Sequence, residues 1–335
     1  MPKLLQQILK PAFLLLLAAH SLHAWSEGPI RERLREIREA KQTGQTTSQV
    51  LTAGDYTFQL EHDNQTRHYM VHVPKRYIPQ QATPLVLSLH GGGGNMRYQA
   101  TEEYYHLISK SEQAGFIAVF PNGYSRLRSG KLATWNAGIC CGKARDIQSD
   151  DVGFIKRVVA YIKTKANIDP NRVYANGMSN GGMMSYRLAC ELSDTFAAIA
   201  AVAGTDGTQQ CAPANPVSVL HIHALDDDRV LFNGGSGVKS QTHADFVSVP
   251  NTIEKWVKLN ACNPTPQRVL EVKGAYCDLY QACQQGAQVK LCVTETGGHA
   301  WPGGSKVRGG AGTTAINAND LIWEFYQKNQ KMNGI

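Results

Sequence analysis

The sequence has no long run of lysine and arginine interleaved with aromatic residues and no Cys-x-x-Cys pair. Beyond its first two dozen residues it also has no apolar stretch long enough to cross a bilayer. Each absence excludes a class of protein. Without a basic strip, nucleic acid is not an expected partner, even at a formal net charge of +7. The densest basic stretch, Arg31, Arg33, Arg35 and Arg38, alternates with Glu32, Glu36 and Glu39, the pattern of a solvated helix face. Without paired cysteine motifs, the eight cysteines do not spell a zinc site. Charged residues are scarce at 18% against 42% hydrophobic, a balance that argues against disorder and supplies a core.

The first 24 residues hold Lys3 and Lys10, an apolar run over 12–19 and small residues near Ala24. That layout predicts a signal peptide, and its removal would leave a secreted or periplasmic protein with no membrane attachment. Eight cysteines, an even number, suit the oxidising compartment this implies. Residues 25–50 read as a charged helix, with Ile30, Leu34 and Ile37 at helical spacing, followed by a Gly/Thr/Gln/Ser linker. A folded domain is expected over 51–335, a length ordinary for one sheet.

Within that domain, strand-like runs at 56–61 and 67–73 flank His62, Asp63 and Asn64 and predict a hairpin. Nearly continuous apolar strands follow at 84–90, 115–120, 172–176, 196–202, 217–223 and 289–294. Helical stretches lie at 102–114, 150–165, 180–192, 251–260 and 317–328. Apolar strands alternating with helices predict an α/β fold, a mostly parallel sheet covered on both faces, with the opening hairpin at its edge.

The sharpest motif is Gly177-Met178-Ser179-Asn180-Gly181, a G-x-S-x-G between a strand and a helix. In that context a tight turn lifts a serine hydroxyl above the sheet, and the helix N-terminus adds partial positive charge where an oxyanion would form. Ser179 is the candidate nucleophile. The loop His90-Gly91-Gly92-Gly93-Gly94 after an earlier buried strand supplies a second oxyanion donor. The expected donors are the N–H groups of Asn180 and Gly92, with Gly93 as the alternate.

A serine needs a base, and the base an orienting carboxylate, in this fold in the chain order Ser, Asp/Glu, His. The strand at 217–223 leads into Asp226, Asp227 and Asp228, and spacing leaves open which of the three acts. The strand at 289–294 leads to Gly297, Gly298 and His299, the candidate base. No cofactor is implied. His221 and His223, two apart on a strand, share a face and raise a metal reading, but no further ligand pair accompanies them. A secreted binding protein on an inactive hydrolase scaffold is the rival from another class. Strand-like runs at 277–280 and 289–292, paired antiparallel with Tyr280 opposite Val289, predict a cross-strand disulfide between Cys277 and Cys292.

Together these motifs resemble the secreted esterase and polyhydroxybutyrate-depolymerase family that includes feruloyl esterases, within the α/β-hydrolase superfamily. The resemblance rests on the glycine loop after His90, Trp135-Asn136-Ala137-Gly138 with Cys140-Cys141-Gly142, and Asp150-Asp151-Val152-Gly153. It continues through the Ser179 motif, Leu188-Ala189-Cys190-Glu191 and His299-Ala300-Trp301-Pro302-Gly303-Gly304. It implies hydrolysis of carboxylic esters, feruloyl, aryl or short-chain, on plant cell-wall or polyester-derived substrates, with a polyester depolymerase as the alternative. Aligning His223 and Val230 with the family's pattern assigns the acid to Asp227, with Asp226 the slip by one; the family's Val-Pro-Tyr lacks its Pro here. Trp135 and Trp301 become candidates to line the acyl pocket. The resemblance also implies a bridge between Cys262 and Cys283, leaving Cys140, Cys141, Cys190 and Cys211 to pair among themselves.

Overall fold

The computed structural model describes residues 50–242, 244–305 and 312–331. The expected signal peptide, and all but the last residue of the expected charged segment, lie outside these described residues.

Strands β1 (Gly54–His62) and β2 (Gln65–Val73) form the opening hairpin. Its two-residue turn places Asp63 and Asn64 at φ 50 and 56, the positive values that such turns require and that these two residue types tolerate. Every second residue of β1 is exposed, as befits an edge strand. By contrast every residue is buried in β3 (Thr83–Leu89), β4 (Ile117–Pro121), β6 (Ala198–Val202), β7 (Ser218–Ala224) and β10 (Val289–Thr294). With β5 (Ile168–Met178) these make a parallel core covered on both sides.

The sheet order is β1-β2-β4-β3-β5-β6-β7-β10-β9-β8, with β8 at Gln267–Val272 and β9 at Ala275–Tyr280. Both ends are antiparallel. In β9 and β10 Tyr280 faces Val289 and Cys277 faces Cys292, the register read from the sequence, and those two cysteines are bonded. Cys262–Cys283, Cys190–Cys211 and the adjacent Cys140–Cys141 are the other pairs. The sequence reading contained no β8. Its residues are nearly all exposed, so no alternation of burial betrays it, and it exists by pairing with β9.

Alternate residues of β3 show how the layers form. Leu85, Leu87 and Leu89 join one core cluster, while Val86 joins the other. The first face takes helices Asp151–Lys165, Asn180–Glu191 and Val249–Leu259; the second takes Leu107–Ala114 and Ala318–Lys328. The helix expected over 102–114 is interrupted at His106, which sits at φ 51. No helix among the described residues is long and apolar enough to cross a membrane.

Strand β4 lies on one side of β3 and β5 on the other. Chain direction across the sheet therefore reverses at β3, and the loops leaving β3 and β5 diverge to open a crevice at their carboxyl ends, where open α/β sheets bind ligands.

Candidate active site

Strand β5 ends at Met178 and the next helix begins at Asn180, so Ser179 alone makes the turn, at φ 55 and ψ −122. A non-glycine residue held there stores roughly 1–3 kcal/mol and persists only where its surroundings over-determine it. Here the Ser179 N–H donates to the Val202 carbonyl (2.8 Å), and the Ser179 carbonyl accepts from Met183 N–H (2.9 Å). The flanking glycines answer to contact. A Cβ on Gly181 would lie 2.2 Å from the Leu89 oxygen, and one on Gly177 would lie 2.4 Å from the Gly181 carbonyl group.

The glycine loop after β3 folds over this turn. A Cβ on Gly91 would fall 3.5 Å from Ser179 Cβ, and one on Gly92 would fall 3.6 Å from Asn180 Cβ. Gly93 N–H donates to the Ala133 carbonyl (2.8 Å), which removes it as the alternate donor. The N–H groups of Gly92 and Asn180 have no acceptor among the described residues, and both residues line the same cavity as Ser179.

His90 braces this loop. Its Nδ1–H donates to the Gly91 carbonyl (2.8 Å), and its Nε2 accepts from Gly123 N–H (2.9 Å). Trp135 does not line the acyl pocket as the sequence suggested. It is fully buried, its indole N–H donates to the His90 carbonyl (2.9 Å), and its ring packs on the His90 ring at 5.0 Å. The Asn180 side chain bonds both Trp135 backbone groups, at 2.7 and 3.0 Å, tying this brace to the helix that follows Ser179. A Trp near a Gly-rich loop carries no sequence signal that separates bracing from lining.

At the other side of the crevice the two remaining candidates meet. His299 Nδ1–H donates to Asp227 Oδ2 (2.8 Å), which leaves Nε2 as the free, basic nitrogen. Asp227 Oδ1 accepts from the N–H groups of Arg229 (2.8 Å) and Val230 (3.0 Å). Burial pushes the Asp227 carboxyl up, but hydrogen bonds from His223 and His299 and their charge outweigh it and hold it well below the usual carboxylate range. Asp226 is exposed and points elsewhere, accepting from Gly297 N–H (3.3 Å) and Gly298 N–H (2.7 Å). The ambiguity among three aspartates thus resolves into two different jobs, one on the histidine and one on the histidine's loop.

Ser179, Gly92, Asn180 and His299 open onto one cavity of about 850 Å³. Trp301 lines it, with its ring edge-on to Tyr105 at 5.5 Å, and Tyr98 and Tyr105 extend an aromatic wall that the sequence reading did not include. His221 and His223 are not on that wall. Their four ring nitrogens are all engaged in hydrogen bonds, and no cluster of potential metal ligands occurs among the described residues.

The buried imidazoles set an acid sensitivity. Burial lowers His90 from an ordinary 6.5 to about 4, and burial followed by the neighbouring His223 holds His221 well below its ordinary value. Between these values the unfolded chain binds protons that the folded chain refuses, so stability present near neutrality is lost as pH falls from about 6.5 to about 4. For His90 alone the loss is on the order of 3 kcal/mol. Urea midpoints measured near neutrality and near pH 4 should show it, before the depressed Asp227 begins to titrate. A flat profile across that window would contradict neutral burial of these rings.

The prolyl oligopeptidase family model (Peptidase_S9) matches residues 113–211, under a third of the chain and spanning Ser179. Feruloyl esterase B of Piromyces equi is 32% identical over 242 residues, 70% of this chain; the chain spans only 42% of that relative's length. The putative esterase NocK of Nocardia uniformis subsp. tsuyamanensis is 28% identical over 286 residues, covering 81% of this chain and 78% of that one. The solved acetyl xylan esterase from Aspergillus awamori superposes with a TM-score of 0.56 at 14% identity, over 82% of this chain and 99% of its own. The chain has the α/β-hydrolase fold. The relatives named above are esterases.

Proposed function

We propose that this protein is a secreted serine esterase that hydrolyses carboxylic esters through an acyl-enzyme. Ser179 is the nucleophile, His299 the general base and Asp227 the orienting acid. The observation that carries the reading is the opening of the Ser179 turn, two unengaged N–H groups and the Asp227-bound imidazole of His299 onto one cavity. Ser179 Oγ attacks the ester carbonyl as His299 Nε2 takes its proton. The Gly92 and Asn180 N–H groups bind the oxyanion, and His299 returns the proton to the departing alcohol. Water then repeats the sequence on the acyl-enzyme. Asp227, being held ionised, keeps the imidazole in the tautomer that presents Nε2 and balances its charge once it is protonated.

Aryl and feruloyl esters are the favoured substrates, supported by the wall of Tyr98, Tyr105 and Trp301 and by the feruloyl esterases among its relatives. Four disulfides suit an exported protein whose first 24 residues are removed, leaving a catalytic domain over 51–335. A fluorophosphonate probe should label the protein stoichiometrically, with the adduct on the peptide containing Ser179. Turnover of methyl ferulate, p-nitrophenyl esters and polyester film should then rank the aryl esters first. Failure of the probe to react with folded protein would sink the serine mechanism, and activity on film above that on aryl esters would favour the depolymerase reading.

A further inference from the structure

A line of buried polar side chains ends beside Asp227, and none of them lines the cavity. Tyr186, His221, His223 and Asp227 are each no more than 2% exposed. The Tyr186 hydroxyl is 2.7 Å from His221 Nδ1, and His221 Nε2 is 3.0 Å from His223 Nδ1. His223 Nε2 in turn is 2.8 Å from the Val230 carbonyl and 3.3 Å from Asp227 Oδ2. The two imidazoles stack at 5.2 Å and 5° between planes.

The direction of every proton follows from the far end. The Val230 carbonyl and the Asp227 carboxylate only accept, so His223 Nε2 must carry hydrogen. With both imidazoles uncharged, His223 Nδ1 is then an acceptor, which requires His221 Nε2–H, and His221 Nδ1 accepts from the Tyr186 hydroxyl. One polarised chain therefore runs from Tyr186 to the Val230 carbonyl and ends 3.3 Å from the carboxylate that holds His299. Tyr186 lies on the helix Asn180–Glu191 that starts at the Ser179 turn, so the chain ties the nucleophile's helix to the acid's loop.

We propose that Tyr186, His221 and His223 are positioning residues that fix the orientation and basicity of Asp227. The proposal rests on the catalytic reading of Asp227 and His299. An apolar core would avoid burying four polar groups, and such burial is tolerated only when every group is satisfied, as the three rings are here. His223 Nε2–H, bonded to the Val230 carbonyl, also lies 3.3 Å from Asp227 Oδ2, the oxygen that His299 uses, and its positive end moderates the pull of that oxygen on the imidazole. Other charged groups near Asp227 and His299 are Asp226, which serves backbone N–H groups, the Asp228–Lys239 pair (2.6 Å) and Arg229. Tyr98 and Tyr105 line the same cavity as His299. Of these, none bonds the Asp227 carboxylate through a side chain.

The test is the pH–rate profile of kcat and kcat/KM on a p-nitrophenyl ester for wild type, His223→Leu, His223→Gln and Tyr186→Phe. Removing the donor leaves Asp227 more basic, so its imidazolium partner is better stabilised and the acid limb moves to higher pH. His223→Leu should lower kcat roughly ten- to a hundred-fold with KM nearly unchanged, and raise the limb by about half a pH unit or more. Glutamine offers an N–H at the place of Nε2 and a carbonyl toward His221, so His223→Gln should recover most of the rate and restore the limb. Tyr186→Phe, which changes little in volume, should shift the limb in the same direction by less. The low-field proton resonance of the His299–Asp227 hydrogen bond gives a readout independent of turnover and should move in His223→Leu and Tyr186→Phe. If the variants lose rate or stability while limb and resonance stay fixed, or if glutamine does no better than leucine, the proposal is overturned. A resonance that moves in a protein without esterase activity would uphold the chain and sink the esterase reading instead.

Discussion

Ser179→Ala is expected to lower ester turnover by on the order of a million-fold, the scale seen when a serine hydrolase loses its nucleophile. What survives is catalysis from the two oxyanion donors and substrate binding alone, on the order of a thousand-fold over water. Fold and stability should be nearly unchanged. The turn is held by backbone bonds, Ser179 N–H to Val202 and Met183 N–H to Ser179, and alanine keeps both. Alanine also carries the same Cβ into the same φ of 55, so no new strain is added. The expected stability change is within about 1 kcal/mol. The checks are steady-state turnover on a p-nitrophenyl ester and a urea titration of the same preparation. A folded variant that keeps more than a few per cent of the rate would show that another group attacks the ester.

Asp227→Asn should cost turnover about ten-thousand-fold, the scale found when the orienting carboxylate of such a triad becomes an amide. The structure supplies the cause. Oδ1 of Asp227 is fixed by the N–H groups of Arg229 and Val230, so the amide nitrogen of asparagine takes the Oδ2 position. There it presents hydrogen to His299 Nδ1, and the imidazole adopts the tautomer that points a proton, not a lone pair, at Ser179. Asp226→Asn should cost no more than about tenfold, since one amide oxygen can still accept from Gly298 N–H, a charge-assisted bond becoming an ordinary one. Measuring both variants side by side with the fold checked by circular dichroism decides the assignment. The reverse ranking would transfer the acid's role to Asp226.

Much of this protein is legible without coordinates, for reasons that are local. The parallel core announces itself because strands buried on both faces must be apolar throughout, as β3, β4, β6 and β7 are. The Ser179 turn is legible because close approach leaves room for nothing but glycine at 177 and 181. The register of β9 with β10 follows from a short loop and a parity rule, and with it the Cys277–Cys292 bond.

What the sequence by itself determined is therefore the fold and the two hairpins, and it marked Ser179, His299 and the glycine loop as the candidates on which the proposed mechanism rests. Each is written in spacing along a few neighbouring residues. Only the tertiary structure decided matters that depend on which direction a side chain faces across the chain. It separated Asp227 from Asp226 by pointing one at His299 and the other at the Gly297–Gly298 backbone. It turned Trp135 inward beneath the oxyanion loop while leaving Trp301 on the cavity wall. It spent the ring nitrogens of His221 and His223 on a hydrogen-bond chain where their spacing alone allowed a metal. Those partners lie up to 72 residues apart in the chain, and no pattern in one segment encodes what another segment will bring against it.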